Sequence, residues 1–170
     1  LSHNFCNCKN EQKKGLLFLV SGFGEIDNLG DKYLRKLTHN IKKSLEFFKT
    51  SKITIRHHPF ATYNKWVPDL QNCLKKEGII SEIDYAEEHI SHVACKYIGV
   101  IGMPSMGLRD TIMMCGDKTK IVCFENLSKV RYPFPKGVLF QKEVMWLNDK
   151  NEISNINYSS VSNNLNIQKI

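Results

Sequence analysis

Short apolar runs of strand length alternate along this chain with longer segments of helical periodicity, and that alternation restricts the folds open to it. The run "GLLFLVSG", residues 15–22, is continuously apolar between glycines, which is typical of a central strand covered on both faces. Three similar runs predict further strands: residues 52–59, 96–102 and 119–124. The weaker run "IISEIDY", residues 79–85, predicts an edge strand.

Apolar residues recur at helical intervals between these strands. Five of them, three or four positions apart, predict the first helix: Leu34, Leu37, Ile41, Leu45 and Phe48. Four others predict a second helix: Trp66, Leu70, Cys73 and Leu74. The second helix should end at Gly78, since glycine readily adopts the left-handed conformation that terminates helices. A short helix is predicted near residues 87–91, and a longer one over residues 105–116.

The order of elements predicts an α/β fold. Strands and helices alternate without a hairpin signal, so we expect a Rossmann-like, mostly parallel sheet with helices on both faces. A chain of 170 residues, 42% of them hydrophobic, suits a single domain. We predict a flexible N-terminal segment over residues 1–14, the domain over residues 15–147, and a polar tail over residues 148–170.

The positive charge of the chain is concentrated in one region. The net charge is +7, and eight Lys and Arg stand against two acidic residues between Asp31 and Arg56. We interpret this cluster as the solvated face of the first helix; a nucleic-acid face and a contact with an anionic membrane are the alternatives. No interleaved aromatic stripe or RNA motif accompanies the cluster, so the sequence does not favour nucleic acid as a partner.

Cysteine usage and the lack of targeting signals predict a cytoplasmic location. Four of the six cysteines lie in apolar periodic segments, where we expect reduced thiols: Cys73, Cys95, Cys115 and Cys123. Cys6 and Cys8 form only a CxC without a second pair, so no zinc site is predicted. The chain has neither an apolar run of about 20 residues nor a signal peptide, and we expect no transmembrane segment and no secretion.

In an open parallel sheet, ligands bind beyond the carboxyl ends of the strands, so residues that follow the strands are the candidates for a site. The first strand is followed by Gly22 and Gly24, which allow a ligand close to the backbone. The spacing is not that of the GxGxxG fingerprint, and a flexible turn is the alternative.

The second strand ends with Arg56, His57, His58 and Pro59. Because proline restricts the preceding residue to extended conformations, Pro59 should hold His58 at the sheet edge. There the imidazole of His58 can donate to a phosphate oxygen, and Arg56, on the same face, can add a positive charge. Alternation of side chains turns His57 toward the opposite face.

Two further strands deliver polar groups to the same edge. Ser105 stands at the start of a predicted helix, where its hydroxyl and the amides of Met106 and Gly107 favour an anion. The alternative is that Ser105 is only an N-cap, and both roles are compatible. Glu125 follows the last strand and can accept hydrogen bonds from a ribose, or be an exposed turn acid. The edge as a whole predicts a nucleotide phosphate ester as ligand.

Two of these segments resemble a known family. "ITIRHHP" and "YIGVIGMPSMGLRDTIMMCGDKTKIVCFEN" are similar to the C-terminal, nucleotide-binding half of GT-B glycosyltransferases of the bacterial surface-polysaccharide type, including sialyltransferase- and polysialyltransferase-like enzymes. The resemblance covers about residues 15–125. It implies that His58 and Pro59 form the His-Pro element, with Arg56 as its basic partner and Ser105 as the phosphate-binding serine. The chain departs from the pattern in having "PSM" where many relatives have paired serines, and in having His57.

The resemblance implies that this chain is the donor-binding half of a larger enzyme. A GT-B enzyme has two Rossmann-like domains, and the N-terminal one largely supplies the acceptor site and the catalytic base. The expected substrate is a CMP- or UDP-linked sugar, the expected partners are a saccharide acceptor and the missing N-terminal domain, and the catalytic residues lie outside this sequence. The first residue, Leu1, is consistent with a piece of a longer protein.

No metal or separate cofactor is expected, because no DxD motif lies near the predicted edge. Two other functions remain open from the sequence. One is a non-catalytic α/β module that binds a protein or nucleic acid through its basic first helix. The other is an epimerase or hydrolase that acts on a nucleotide sugar.

Overall fold

A computed structural model of the chain describes residues 13–21, 30–115, 119–124, 144–148 and 150–155. The strands are β1 (Lys14–Leu19), β2 (Lys52–Arg56), β3 (Ile80–Asp84), β4 (Tyr97–Gly102), β5 (Lys120–Phe124), β6 (Val144–Leu147) and β7 (Ile153–Asn155). The α-helices are α1 (Asp31–Phe48), α2 (Val67–Lys76), α3 (Ile90–Val93) and α4 (Met106–Cys115).

The strands form one seven-stranded sheet in the order β3-β2-β1-β4-β5-β6-β7. Every neighbouring pair is parallel except β6 and β7, which are antiparallel. The predicted α/β, Rossmann-like fold is confirmed, and β3 lies at the edge as its weak apolar pattern indicated. The strand order reverses between β1 and β4, and this reversal is where such sheets bind ligands.

Alternate residues of β1 point into two separate cores, which explains why its sequence is continuously apolar. Leu16 and Phe18 pack with the apolar residues of α1 and α2 on one face of the sheet. Leu17 and Leu19 pack with those of α3 and α4 on the other face. Helices therefore cover both faces, as predicted.

The predicted helix boundaries are close to the observed ones. Gly78 has the left-handed φ of 73° expected of a helix terminator, and the amide of Ile79 donates to the carbonyl of Leu74 at 2.9 Å. α4 is described as far as Cys115, and its predicted terminator, Gly116, lies outside the described residues.

The sheet continues past residue 147, where the sequence predicted only a polar tail. β7 pairs with β6 through a turn in which the Oδ1 of Asn148 accepts from the amides of Lys150 and Glu152. Asn151 in this turn has a φ of 61°, a conformation that asparagine tolerates. Asn148 and Asn151, two polar residues of the predicted tail, thus belong to the turn of a hairpin.

The structure corrects the expectation of a reduced thiol at Cys95, which takes part in a disulfide. Cys73, Cys115 and Cys123 belong to no disulfide. Among the described helices, none has the length and apolarity needed to cross a membrane.

Candidate functional site

The candidate site lies at the carboxyl end of β1, between the segments that leave β2 and β4. The register pairs Leu19 of β1 with Arg56 on one side and with Gly102 on the other. The last residues of β2 and β4 thus stand at one level of the sheet, about 10 Å apart because two strand spacings separate them. His58 follows Arg56 by two residues and Ser105 follows Gly102 by three, so both leave the sheet at this edge.

β2 ends at Arg56, before both histidines, and a side-chain clamp then holds the backbone of His58. The Oδ1 of Asn64 accepts from the amide of His58 at 2.8 Å, and the Nδ2 of Asn64 donates to the carbonyl of His58 at 2.9 Å. Both backbone polar groups of His58 are therefore satisfied by one residue six positions later. This clamp, together with the exposed Pro59, closes the segment from His58 to Asn64 into a compact loop.

The ring of His58 is oriented by its own loop. The amide of Phe60 donates to the Nδ1 of His58 at 3.1 Å, so the neutral imidazole carries its proton on Nε2. Burial lowers the pKa of His58 below its ordinary value of 6.5. At neutral pH this side chain is therefore an uncharged ring with an N–H donor at Nε2.

Arg56 has a partner within the chain, the side chain of Asp84, and its role beside a phosphate stays a prediction. Its side chain is buried, its Nη1 lies 2.5 Å from the Oδ2 of Asp84, and its Nη2 donates to the carbonyl of Glu88. Asp84 stands opposite Arg56 in the register of β2 and β3. Since the carboxylate of Asp84 neutralises the guanidinium, Arg56 serves to join the ends of the two strands.

Asp84 also fixes the two segments that follow the strands. Its carbonyl accepts from the amide of His57 at 2.8 Å. Its Oδ1 accepts at 2.9 Å from the amide of Ala86, a residue with a φ of 61°. The aspartate thus holds His57 on one side and a left-handed turn on the other.

His57 contacts an aromatic ring rather than the loop of His58. Its ring centroid lies 5.2 Å from that of Tyr85, with an angle of 79° between the rings. Burial lowers the pKa of His57, and the charge of Asp84 partly opposes that shift.

Ser105 is the N-cap of α4. Its Oγ accepts from the amide of Leu108 at 3.3 Å, and its carbonyl accepts from the amide of Arg109 at 3.1 Å. The amides of Met106 and Gly107 open the helix, where the positive end of the helix dipole lies. Gly107 sits against β1, because a Cβ there would lie 3.3 Å from the Cδ1 of Leu19. The helix start is therefore packed directly beside the carboxyl end of β1.

Three of the predicted site residues cannot be placed: Gly22, Gly24 and Glu125 lie outside the described residues. Within the described part of the chain, no three His, Cys, Asp or Glu side chains cluster in a way that could hold a metal ion.

Sequence reasoning missed two residues that build the site, Asn64 and Asp84. Asn64 gave no signal, since an asparagine in a loop is common and its partner is a backbone six residues earlier. The sequence does show that Asp84 is an acid near the end of the predicted edge strand, residues 79–85. Pairing the strands in register would have placed it opposite Arg56.

Comparison of the chain with models of protein families, with curated protein sequences and with solved structures gave no match.

Proposed function

We propose that this domain binds a nucleotide-activated sugar and forms the donor-binding half of a glycosyltransferase in surface-polysaccharide synthesis. One observation carries the proposal: His58 and the N-terminus of α4 leave the sheet on either side of β1, next to the reversal of strand order between β1 and β4. Sialyltransferase-like chemistry, a saccharide acceptor and a second domain that supplies the catalytic base belong to the same proposal.

The two groups suit a phosphate for different reasons. At α4, the amides of Met106 and Gly107 act with the helix dipole, while the hydroxyl of Ser105 keeps the helix start ordered. At β2, the Nε2–H of His58 donates as a neutral group, because its Nδ1 accepts from Phe60. Hydrogen bonds of this kind stabilise the charge that develops on the leaving nucleotide as a glycosidic bond breaks.

The basic face of α1 carries less free charge than the sequence suggested. The Nζ of Lys42 lies 2.8 Å from Glu77, and the Nζ of Lys43 lies 3.2 Å from Glu46. These pairs support the interpretation of this face as a solvated helix surface, and they give no support to a nucleic-acid module.

Titration calorimetry with CMP, UDP, CDP and GDP tests the proposal. We expect binding in the millimolar range or tighter for at least one of these nucleotides, and a loss of about tenfold in His58→Ala, equivalent to one hydrogen bond. His39→Ala is the matched control, because His39 is an exposed histidine on α1, away from the edge. An absence of heat with all four nucleotides, or equal losses in the two variants, would overturn the proposal.

A further inference from the structure

The loop between β2 and α2 holds an exposed phenylalanine next to His58. Phe60 is 67% exposed, and its ring centroid lies 5.5 Å from that of His58 with an angle of 30° between the rings. The two rings thus pack at a tilt, and the ring of Phe60 is exposed.

The exposure of Phe60 is a product of an ordered loop. Two hydrogen bonds between Asn64 and the backbone of His58 close the loop, and a third runs from the amide of Phe60 to the Nδ1 of His58. The loop then enters α2 next to Trp66, which is 1% exposed and packs edge-on against Phe18 at 6.5 Å. Because these contacts order the backbone on both sides of Phe60, its side chain loses little conformational entropy when a ligand stacks on it.

We infer that Phe60 is the stacking platform for the base of the nucleotide, an assignment that rests on the proposed function. Along this edge the start of α4 leaves the sheet across β1 from the loop of His58, and Phe60 lies on that same loop. A nucleotide whose phosphate meets α4 and His58 places its base beside that loop. The lack of charge also suits a base, because the ring of Phe60 packs against the neutral imidazole of His58. The ring offers an apolar face of the size of one aromatic ring.

A planar base fits this surface better than a protein partner does. A stable protein interface buries on the order of 800 Å² on each side, whereas Phe60 presents a single ring. Among the described residues, Tyr85 is also exposed at this edge, and its ring packs against His57. Stacking on an aromatic side chain accepts any base, so the platform adds affinity for the nucleotide without choosing the base.

The test compares CMP with ribose 5-phosphate, which keeps the phosphate and the sugar but lacks the base. For the unaltered chain we expect CMP to bind about tenfold more tightly than ribose 5-phosphate. Phe60→Leu should remove that advantage and leave the affinity for ribose 5-phosphate unchanged, and Phe60→Trp should retain it. Tyr85→Leu is the matched control, since it removes an equally exposed ring from the same edge.

The outcomes separate this inference from the proposed function. If ribose 5-phosphate binds as tightly as CMP, or if Tyr85→Leu loses as much affinity for CMP as Phe60→Leu, the platform is overturned while the phosphate site stands. If neither compound binds the unaltered chain, the platform is wrong, and the proposed function is wrong as well if UDP, CDP and GDP also fail to bind. Phe60→Trp also keeps the test decisive if Phe60→Leu fails to fold, because loss of CMP affinity in that variant would contradict stacking.

Discussion

The guanidinium of Arg56 and the carboxylate of Asp84 form an ion pair where two neighbouring parallel strands end, with 2.5 Å between Nη1 and Oδ2. The side chains are 8% and 22% exposed, so water screens the pair only weakly. A pair in this position fixes the segments that follow both strands. We therefore expect its loss to act on stability first, and on ligand binding through the position of His57 and His58.

Asp84→Asn should lower the free energy of unfolding by about 3 kcal/mol, because it leaves the guanidinium of Arg56 buried without a charged partner. Urea denaturation measures this loss. Glu77→Gln is the control: it breaks the exposed pair of Glu77 with Lys42 and should have little effect. If the two variants unfold at the same urea concentration, the pair of Arg56 and Asp84 has no special role in stability.

Substitutions of Ser105 should separate its structural role from its role toward an anion. Ser105→Ala removes the N-cap of α4 and should lower the free energy of unfolding by about 1 kcal/mol. Ser105→Asp keeps a capping oxygen, so stability should be retained, but its negative charge should repel a phosphate at the helix start. Thermal denaturation and CMP titration of both variants check this. Unchanged CMP affinity in Ser105→Asp would place the phosphate elsewhere.

The two histidines at the edge should make the domain less stable in mild acid. Burial lowers the pKa of both His57 and His58 in the folded chain below the ordinary value of 6.5. The unfolded chain then binds more protons as the pH falls, so the free energy of unfolding should be constant above about pH 7 and decline below the unfolded pKa. Urea denaturation between about pH 5 and pH 8 measures the slope. The slope should be smaller in a variant with both histidines changed to Gln, and an equal slope would assign the effect to other groups.

The fold could be predicted from the sequence because a strand buried on both faces has an uninterrupted run of apolar residues. Leu16 to Leu19 are all buried, and only a central parallel strand between two helical layers needs four consecutive apolar residues. β6 and β7 escaped prediction for the opposite reason. They are short, and the turn between them contains Asn148 and Asn151. A polar, asparagine-containing segment resembles a disordered tail in composition.

The site could be predicted only in part. The position of a residue at a strand end depends on its neighbours in sequence, whereas the partner of a charged side chain can lie on a distant strand. Pro59 and the end of β2 placed His58 correctly at the edge from neighbouring residues alone. The partner of Arg56 lies 28 residues away and depends on which strand pairs with β2 and in which register. Alternation of side chains puts Arg56 on a face of the sheet, but it says nothing about an acid on the neighbouring strand.

The thiols should differ in their reaction with an alkylating reagent. Cys95 takes part in a disulfide, whereas Cys73, Cys115 and Cys123 do not. In the denatured chain without reductant, we expect the last three to be alkylated and Cys95 to remain unmodified until a reductant is added. Peptide mass spectrometry reads each position. Alkylation of Cys95 before reduction would show that the chain carries a thiol there.

Substitutions of three glycines should rank by what a new methyl group would meet. At Gly15 a Cβ would lie 2.1 Å from the backbone oxygen of Lys52, on the neighbouring strand, and no side-chain rotation can relieve that contact. At Gly99 it would lie 2.7 Å from the ring of Phe48, which is only partly buried and can move outward. At Gly30 it would meet nothing within 4 Å.

We therefore expect Gly15→Ala to cost about 3 kcal/mol in free energy of unfolding and Gly99→Ala about 1 kcal/mol, the two ends of the usual range for overpacking. Gly30→Ala should cost less than about 1 kcal/mol, because alanine is a poorer N-cap than glycine for α1. Urea denaturation of the three variants gives the order. If Gly15→Ala is no less stable than Gly30→Ala, β1 and β2 do not approach each other as closely at Gly15 as the contact of 2.1 Å implies.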